Sequence, residues 1–172
     1  MLQQHGMAEN TIMVFTADQG PQWPFGTWGL YDAGVRTPLL VRWPGRVEGG
    51  GTTDALVSLV DLLPTFVEAA GGAAPEDLDG RSFLSVLLGE SSQHRDRVFA
   101  SHTGDGRMNR SPSRMLRTGD YKYMLNLAPE ILYTTHMDRV GDEGYWKSWR
   151  EKSFRNEHAA SVLWRYHNRP AE

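Results

Sequence analysis

The sequence contains no cysteine among its 172 residues. Disulfides and cysteine-type zinc sites are therefore excluded. No apolar run is long enough to span a bilayer. The net charge is −3, so there is no electrostatic case for nucleic acid or an anionic membrane as partner. None of the six histidines (His5, His94, His102, His136, His158, His167) falls in a zinc spacing such as His-Glu-x-x-His. The run Gly49-Gly50-Gly51 is not followed by Lys-Ser/Thr, so the phosphate-loop reading fails. The opening MLQQHGMAEN lacks the basic start and apolar core of a signal peptide. It reads as the tail of a helix ending near Gly6, with Glu9-Asn10 as a turn. No internal repeat is visible. A content of 40% hydrophobic and 23% charged residues is ordinary for a globular chain. The length suits one domain or pieces of two.

What is present is organised around Thr11–Gly45. Thr11–Thr16 is a short, β-branched apolar run, the pattern of a buried strand. It ends at Ala17-Asp18-Gln19-Gly20-Pro21. In open α/β sheets ligands gather beyond the carboxyl ends of strands, which places Asp18 and Gln19 where such proteins do chemistry. Pro21–Gly29 holds Trp23, Phe25 and Trp28 between glycines and prolines, so it reads as a loop with an aromatic surface, either pinned to the core by its rings or forming a wall that stacks on a sugar. Thr37–Trp43 is a second buried-strand candidate, closed by Pro44-Gly45.

Farther on, Asp61–Ala70 reads as a helix with Ser58 or Asp61 as cap, Pro64 in its first turn and Gly71-Gly72 as its stop. Leu62, Phe66 and Ala69 would share its inner face. Ser82–Leu88 is a short amphipathic helix, and Glu90–Arg97 is the best boundary by composition. Val98–Ser101 reads as a strand. Ser113–Thr118 and Tyr121–Asn126 form a hairpin pattern around Gly119-Asp120. A helix is expected within Glu130–Asp138, broken by Gly141–Gly144. Tyr145–Tyr166 reads as aromatic helices. Basic residues between Arg95 and Arg150 are interspersed with acids, the pattern of solvated surface, with an anionic-substrate rim as the sharper alternative.

The order of Asp18-Gln19-Gly20, Leu30-Tyr31-Asp32-Ala33-Gly34-Val35-Arg36-Thr37-Pro38 and Arg42-Trp43-Pro44-Gly45 resembles the sulfatase family of the alkaline-phosphatase-like superfamily, closest to its heparan N-sulfatase-like branch. Asp61–Thr65, Leu78–Ser82 and Arg114–Tyr123 also resemble scaffold segments of that family. The resemblance implies an α/β fold. Residues 1–90 would be the closing part of an alkaline-phosphatase-like sheet-and-helix domain, and residues 95–172 a small C-terminal α+β subdomain. It implies a parent that hydrolyses sulfate esters or N-sulfates, on a sulfated small molecule or glycan, in a periplasmic, secreted or lysosomal setting. We read the chain as a fragment truncated at both ends, whose partner is the N-terminal part of the same protein.

The resemblance assigns Asp18 and Gln19 to a divalent cation such as Ca²⁺, with further ligands and a formylglycine nucleophile from outside this chain. Asp18 supplies a carboxylate and Gln19 an amide carbonyl, the hard oxygens such an ion needs. The string Arg110-Ser111-Pro112-Ser113-Arg114 has the Pro and Arg of the formylglycine motif Cys/Ser-x-Pro-x-Arg, but Arg110 stands where Cys or Ser must be. Thr27 occupies the position, four before Tyr31, where the family has a sulfate-binding Lys; a hydroxyl keeps one hydrogen bond and loses the charge. Arg36 matches the family's Arg, as a brace of the loop or a sulfate contact. His102, beside a glycine-rich loop, is a further substrate-contact candidate. Asp61 is expected to be a cap and not an acid catalyst. The rival readings are a non-catalytic sulfate- or glycan-binding relative, an inactive remnant, and a phosphodiesterase of the same superfamily.

Overall fold

The computed structural model describes residues 1–104, 110–135, 138 and 144–171. The chain divides into two compact units. The first comprises Met1–Asp18, Pro38–Val98 and Thr118–Asp120; the second comprises Gln19–Thr37, Phe99–Arg117 and Tyr121–Glu172.

In the first unit, β1 (Met13–Thr16) pairs antiparallel with β2 (Leu39–Arg42), Phe15 opposite Leu40. Both expected strands form, yet they are not buried. Phe15 is 62% and Leu40 60% exposed. A two-stranded sheet has two faces, and among the described residues nothing covers the one that carries Phe15 and Leu40. The expected helix tail at the N-terminus is a 3₁₀ turn, Gln3–His5, stopped by Gly6 in the left-handed region at φ 67°.

A 3₁₀ turn, Leu59–Asp61, leads into α2 (Leu62–Ala69); α1 (Asp32–Val35) belongs to the second unit. Ser58 and Asp61 form a reciprocal capping box at this entry. The inner face of α2 is not the expected one. Pro64 and Thr65 are buried, whereas Phe66 is exposed. Polar bonds select this face: the Thr65 hydroxyl donates to the Asp61 carbonyl at 2.6 Å and accepts from the buried Phe83 amide at 3.0 Å. Phe83 then leads into α3 (Leu84–Leu87), inside the expected Ser82–Leu88.

In the second unit, β3 (Val98–His102), β4 (Ser113–Arg117) and β5 (Lys122–Asn126) lie in the order β3-β4-β5. The β4–β5 pair is the expected antiparallel hairpin, in register from Ser113 opposite Asn126 to Arg117 opposite Lys122. The expected aromatic helices are α4 (Gly144–Ser153) and α5 (Glu157–His167). Asn156 caps α5 by accepting from the Ala159 amide at 2.9 Å. Residues 130–135 are not helical, against expectation. Tyr133 instead bonds backbone to backbone with His167 (N to O, 2.8 Å), and this tertiary pairing replaces helical bonds. The remainder of that expected helix, apart from Asp138, lies outside the described residues, as does most of the Gly141–Gly144 break.

The core of this unit is aromatic: Tyr133, Trp146 and Tyr166, with Phe25, Trp149 and Leu163 packed against it. Tyr166 meets Tyr133 at 5.2 Å and Phe25 at 5.5 Å between ring centroids, both edge to face. No helix among the described residues is long and apolar enough to cross a membrane.

Candidate functional site

Asp18 and Gln19 follow β1 directly, and both side chains are exposed. The turn after them is held by backbone. The Gly20 amide donates to the Gly34 carbonyl at 2.9 Å, and the Thr27 hydroxyl donates to the Gly20 carbonyl. Glycine is required here by close approach. A Cβ on Gly20 would lie 1.7 Å from the Ala33 carbonyl oxygen, and one on Gly34 would lie 2.4 Å and 2.5 Å from those of Gly29 and Gly26. Gln19 is thus tied through its neighbour to a rigid loop.

That loop, residues 20–36, is packed by rings on its own unit. Phe25 stands edge to face on Tyr31 at 5.1 Å as well as on Tyr166. The Tyr133 hydroxyl donates to the Trp28 carbonyl at 3.2 Å, and the Tyr145 hydroxyl to the Gln22 carbonyl at 3.0 Å. Phe25 and Trp28 hold φ of 64° and 63°, a region that bulky L-residues rarely adopt. Such strain costs on the order of 1–3 kcal/mol per residue and persists only where packing overdetermines it. The loop is therefore pinned by Phe25, while Trp23 is left 56% exposed.

The other sequence candidates are placed as follows. Thr27 is buried, and its hydroxyl is committed to Gly20. Arg36 is exposed just after α1, its amide bonded to the Asp32 carbonyl at 2.8 Å. His102 ends β3 with its carbonyl 3.4 Å from Arg114 Nη1. Among the described residues no three His, Asp or Glu side chains converge as a metal cluster. Asp18 and Gln19 fit a hard divalent cation by the kind of oxygen they offer and fall short of it in number.

Sequence reasoning missed two charged features. Asp32, seen only as part of a motif, accepts from Lys122 at 2.7 Å and pairs with Arg117 at 3.4 Å. The Lys122 hydrogen bond leads in lowering its pKa. Those partners lie on β4 and β5, far along the chain, so only motif position signalled Asp32. Asp61 was read as a cap; its side chain makes no capping bond to α2 and instead takes the Ser58 amide as the second member of the capping box. It is also fully buried, and it accepts the Nε and Nη2 donors of Arg95, the Arg81 and Ser58 amides at 2.9 Å each, and faces His94 Nε2 at 3.1 Å. Burial pushes its pKa up. The Arg95 hydrogen bonds and the Arg81 and Ser58 amides outweigh that and bring it down to about 2.

A sequence model of the family described as N-sulphoglucosamine sulphohydrolase, C-terminal, matches residues 24–143, more than half of the chain. The chain belongs to the sulfatase family. An ulvan-active sulfatase of Formosa agariphila is 38% identical over 122 residues, which are 70% of this chain and 24% of that protein. A solved 2-O GAG sulfatase superposes over 90% of this chain and 35% of its own, with a TM-score of 0.63 and 27% identity. A phosphonate monoester hydrolase from Silicibacter pomeroyi, at 22% identity and a TM-score of 0.55, shares the fold. The chain therefore spans about a quarter of the curated relative and corresponds to the C-terminal part of a sulfatase, a mixed α/β chain with small sheets.

Proposed function

We propose that this chain is the C-terminal part of an enzyme that hydrolyses sulfate esters or N-sulfates on sugars. Asp18 and Gln19 supply two oxygen ligands to a Ca²⁺-type cation, and a formylglycine encoded outside this chain is the nucleophile. The observation that carries the reading is the strand-end pair Asp18-Gln19, set at a pinned Gly20 turn just ahead of the family-matched segment. When bound, such a cation supplies Lewis-acid polarisation of the sulfate oxygens. This chain's residues hold and orient. The Gly20–Gly34 and Thr27–Gly20 bonds keep the turn in one conformation, and Phe25, Tyr31 and Tyr133 clamp the loop behind it. Arg36 and His102 are the residues we assign to sulfate or sugar contact. The glycan names carried by relatives, ulvan and GAG, support a sugar substrate for this one.

The test is sulfate release from an aryl sulfate and from sulfated oligosaccharides by the full-length protein that carries this chain. Asp18→Ala should cut kcat/KM by about 10²-fold or more, the scale of losing one preorganised electrostatic element, and excess Ca²⁺ should restore part of it. Undiminished turnover in Asp18→Ala overturns the assignment.

One observation favours the binding-only relative. Thr27 stands where the family has Lys, and its hydroxyl already donates to Gly20, so it brings neither a charge nor a second proton to sulfate. Sugar binding without turnover in the wild type would select that reading.

A further inference from the structure

A concavity in the second unit is lined by neither of the strand-end residues Asp18 and Gln19. It is a cleft of about 590 Å³ whose walls include Phe25, Tyr31, Trp164, Arg165, Asn168 and Arg169. Three observations point to its occupant. First, its wall carries Trp164, which is 64% exposed on a helix that packs inward through Ala159 and Tyr166. A bare indole beside a cleft offers a flat face with a negative quadrupole, suited to the polarised C–H face of a pyranose. Second, the lining is cationic. Arg165 and Arg169 contribute, and no described lining residue is acidic. Third, Arg169 brings a fixed positive charge to the cleft wall. Its guanidinium lies 3.2 Å from the Tyr133 ring centroid and 5.1 Å from that of Tyr31, and its Nε and Nη2 have no hydrogen-bond partner among the described residues. A buried donor without an acceptor is costly. Stacking on the Tyr133 and Tyr31 rings offsets part of that cost and holds the guanidinium in place as a charge of the cleft wall.

We propose that this cleft is a saccharide subsite, in which Trp164 stacks on a sugar ring while the exposed Arg165 takes a sulfate group of the same chain and Arg169 adds positive charge behind it. The choice of sulfate rests on the sulfatase reading above; the cleft itself does not. Such a subsite would hold a neighbouring residue of a sulfated polymer while another residue is presented elsewhere.

The experiment is calorimetric titration of the full-length protein with a sulfated dextran oligosaccharide, its unsulfated counterpart and inorganic sulfate, all in EDTA. The sulfated oligosaccharide should bind, the unsulfated one at least about tenfold more weakly, the scale of one charge-assisted contact. Inorganic sulfate alone should bind weakly or not at all. Trp164→Ala should weaken oligosaccharide binding about tenfold with an unchanged melting temperature, since Trp164 packs outward. Arg165→Gln should flatten the dependence of affinity on salt. Equal binding by wild type and Trp164→Ala overturns the proposal. So does binding that disappears in Asp18→Ala, which would place the sugar at the cation turn. Loss of turnover in Asp18→Ala with retained oligosaccharide affinity supports both readings. Absence of turnover in the wild type with affinity intact removes the catalytic reading alone.

Discussion

Each of the two units contains a charged group with atoms withdrawn from water, and the two are treated in opposite ways. Asp61 in the first unit accepts from a guanidinium, two backbone amides and an imidazole that all converge on it. A carboxylate has about four lone-pair sites, and these are filled. Arg169 in the second unit stands among ring faces, with two of its nitrogens without acceptors among the described residues. A filled ion pair holds loops together and has nothing to offer a ligand. Arg169 is stabilised by aromatic faces, which offset its missing acceptors only in part. Buried charge alone therefore does not mark a functional site; a carboxylate whose hydrogen bonds are all filled acts as a brace.

Substitutions can break this comparison, beginning with the largest effect. Asp61→Ala strands the Arg95 guanidinium, whose side chain is 16% exposed, without its counter-charge. A loss of about 3–5 kcal/mol is expected, read as the shift in a urea midpoint. A loss below about 1 kcal/mol would mean that the cluster relaxes and is no brace. Acid probes the same group without mutation. The carboxyl titrates at 3.8 when unperturbed and at about 2 in the fold, so its contribution is fully present above about pH 4 and is lost as the pH falls toward 2. That contribution is roughly 2 kcal/mol, and Asp61→Asn should abolish this part of the acid dependence.

In the second unit, Tyr133→Phe removes the hydroxyl that donates to the Trp28 carbonyl and keeps the ring beneath Arg169. About 1 kcal/mol is expected, with cleft binding little changed if the ring face is what holds the guanidinium. Asp32→Asn should have the smallest effect. Its pairs with Lys122 and Arg117 are close, but the Asp32 side chain is 52% exposed, and half-solvated pairs contribute about 0.2–1 kcal/mol. A double-mutant cycle with Lys122→Met measures it, and a coupling that survives high salt would place this pair with Asp61 instead.

Legibility followed the range of the interaction. The β4–β5 hairpin was readable because Gly119-Asp120 lies between two apolar runs, and α2 because its cap and glycine stop lie within a dozen residues. Asp61 was readable as one of two cap candidates at the head of the helix and unreadable as an ion-pair centre, since Arg95 lies 34 positions away and no local pattern announces it. The face of α2 was misread for the same reason. Periodicity nominated Phe66, whereas the Thr65 hydroxyl bond to Phe83 turned Thr65 inward. The loop after Gly20 was legible as aromatic, but which ring pins it was not. Phe25 meets Tyr166 only after the C-terminal helices fold back. The cleft beside Arg169 was invisible for the same reason, since its walls come from segments near positions 25–31, 129 and 162–170.

Local pattern and the run of rare motif residues were enough to assign the chain to the sulfatases, to set nearly all of its strands and helices, and to nominate Asp18 and Gln19 as ligands. These depend on short-range spacing and on side-chain chemistry, both written directly in the order of residues. The packed chain alone decided that Thr27 is sealed against Gly20, that Asp61 is saturated and that Arg169 is not. Burial and hydrogen-bond satisfaction are properties of groups brought together from distant positions, and they take a value only once the backbone has closed around them.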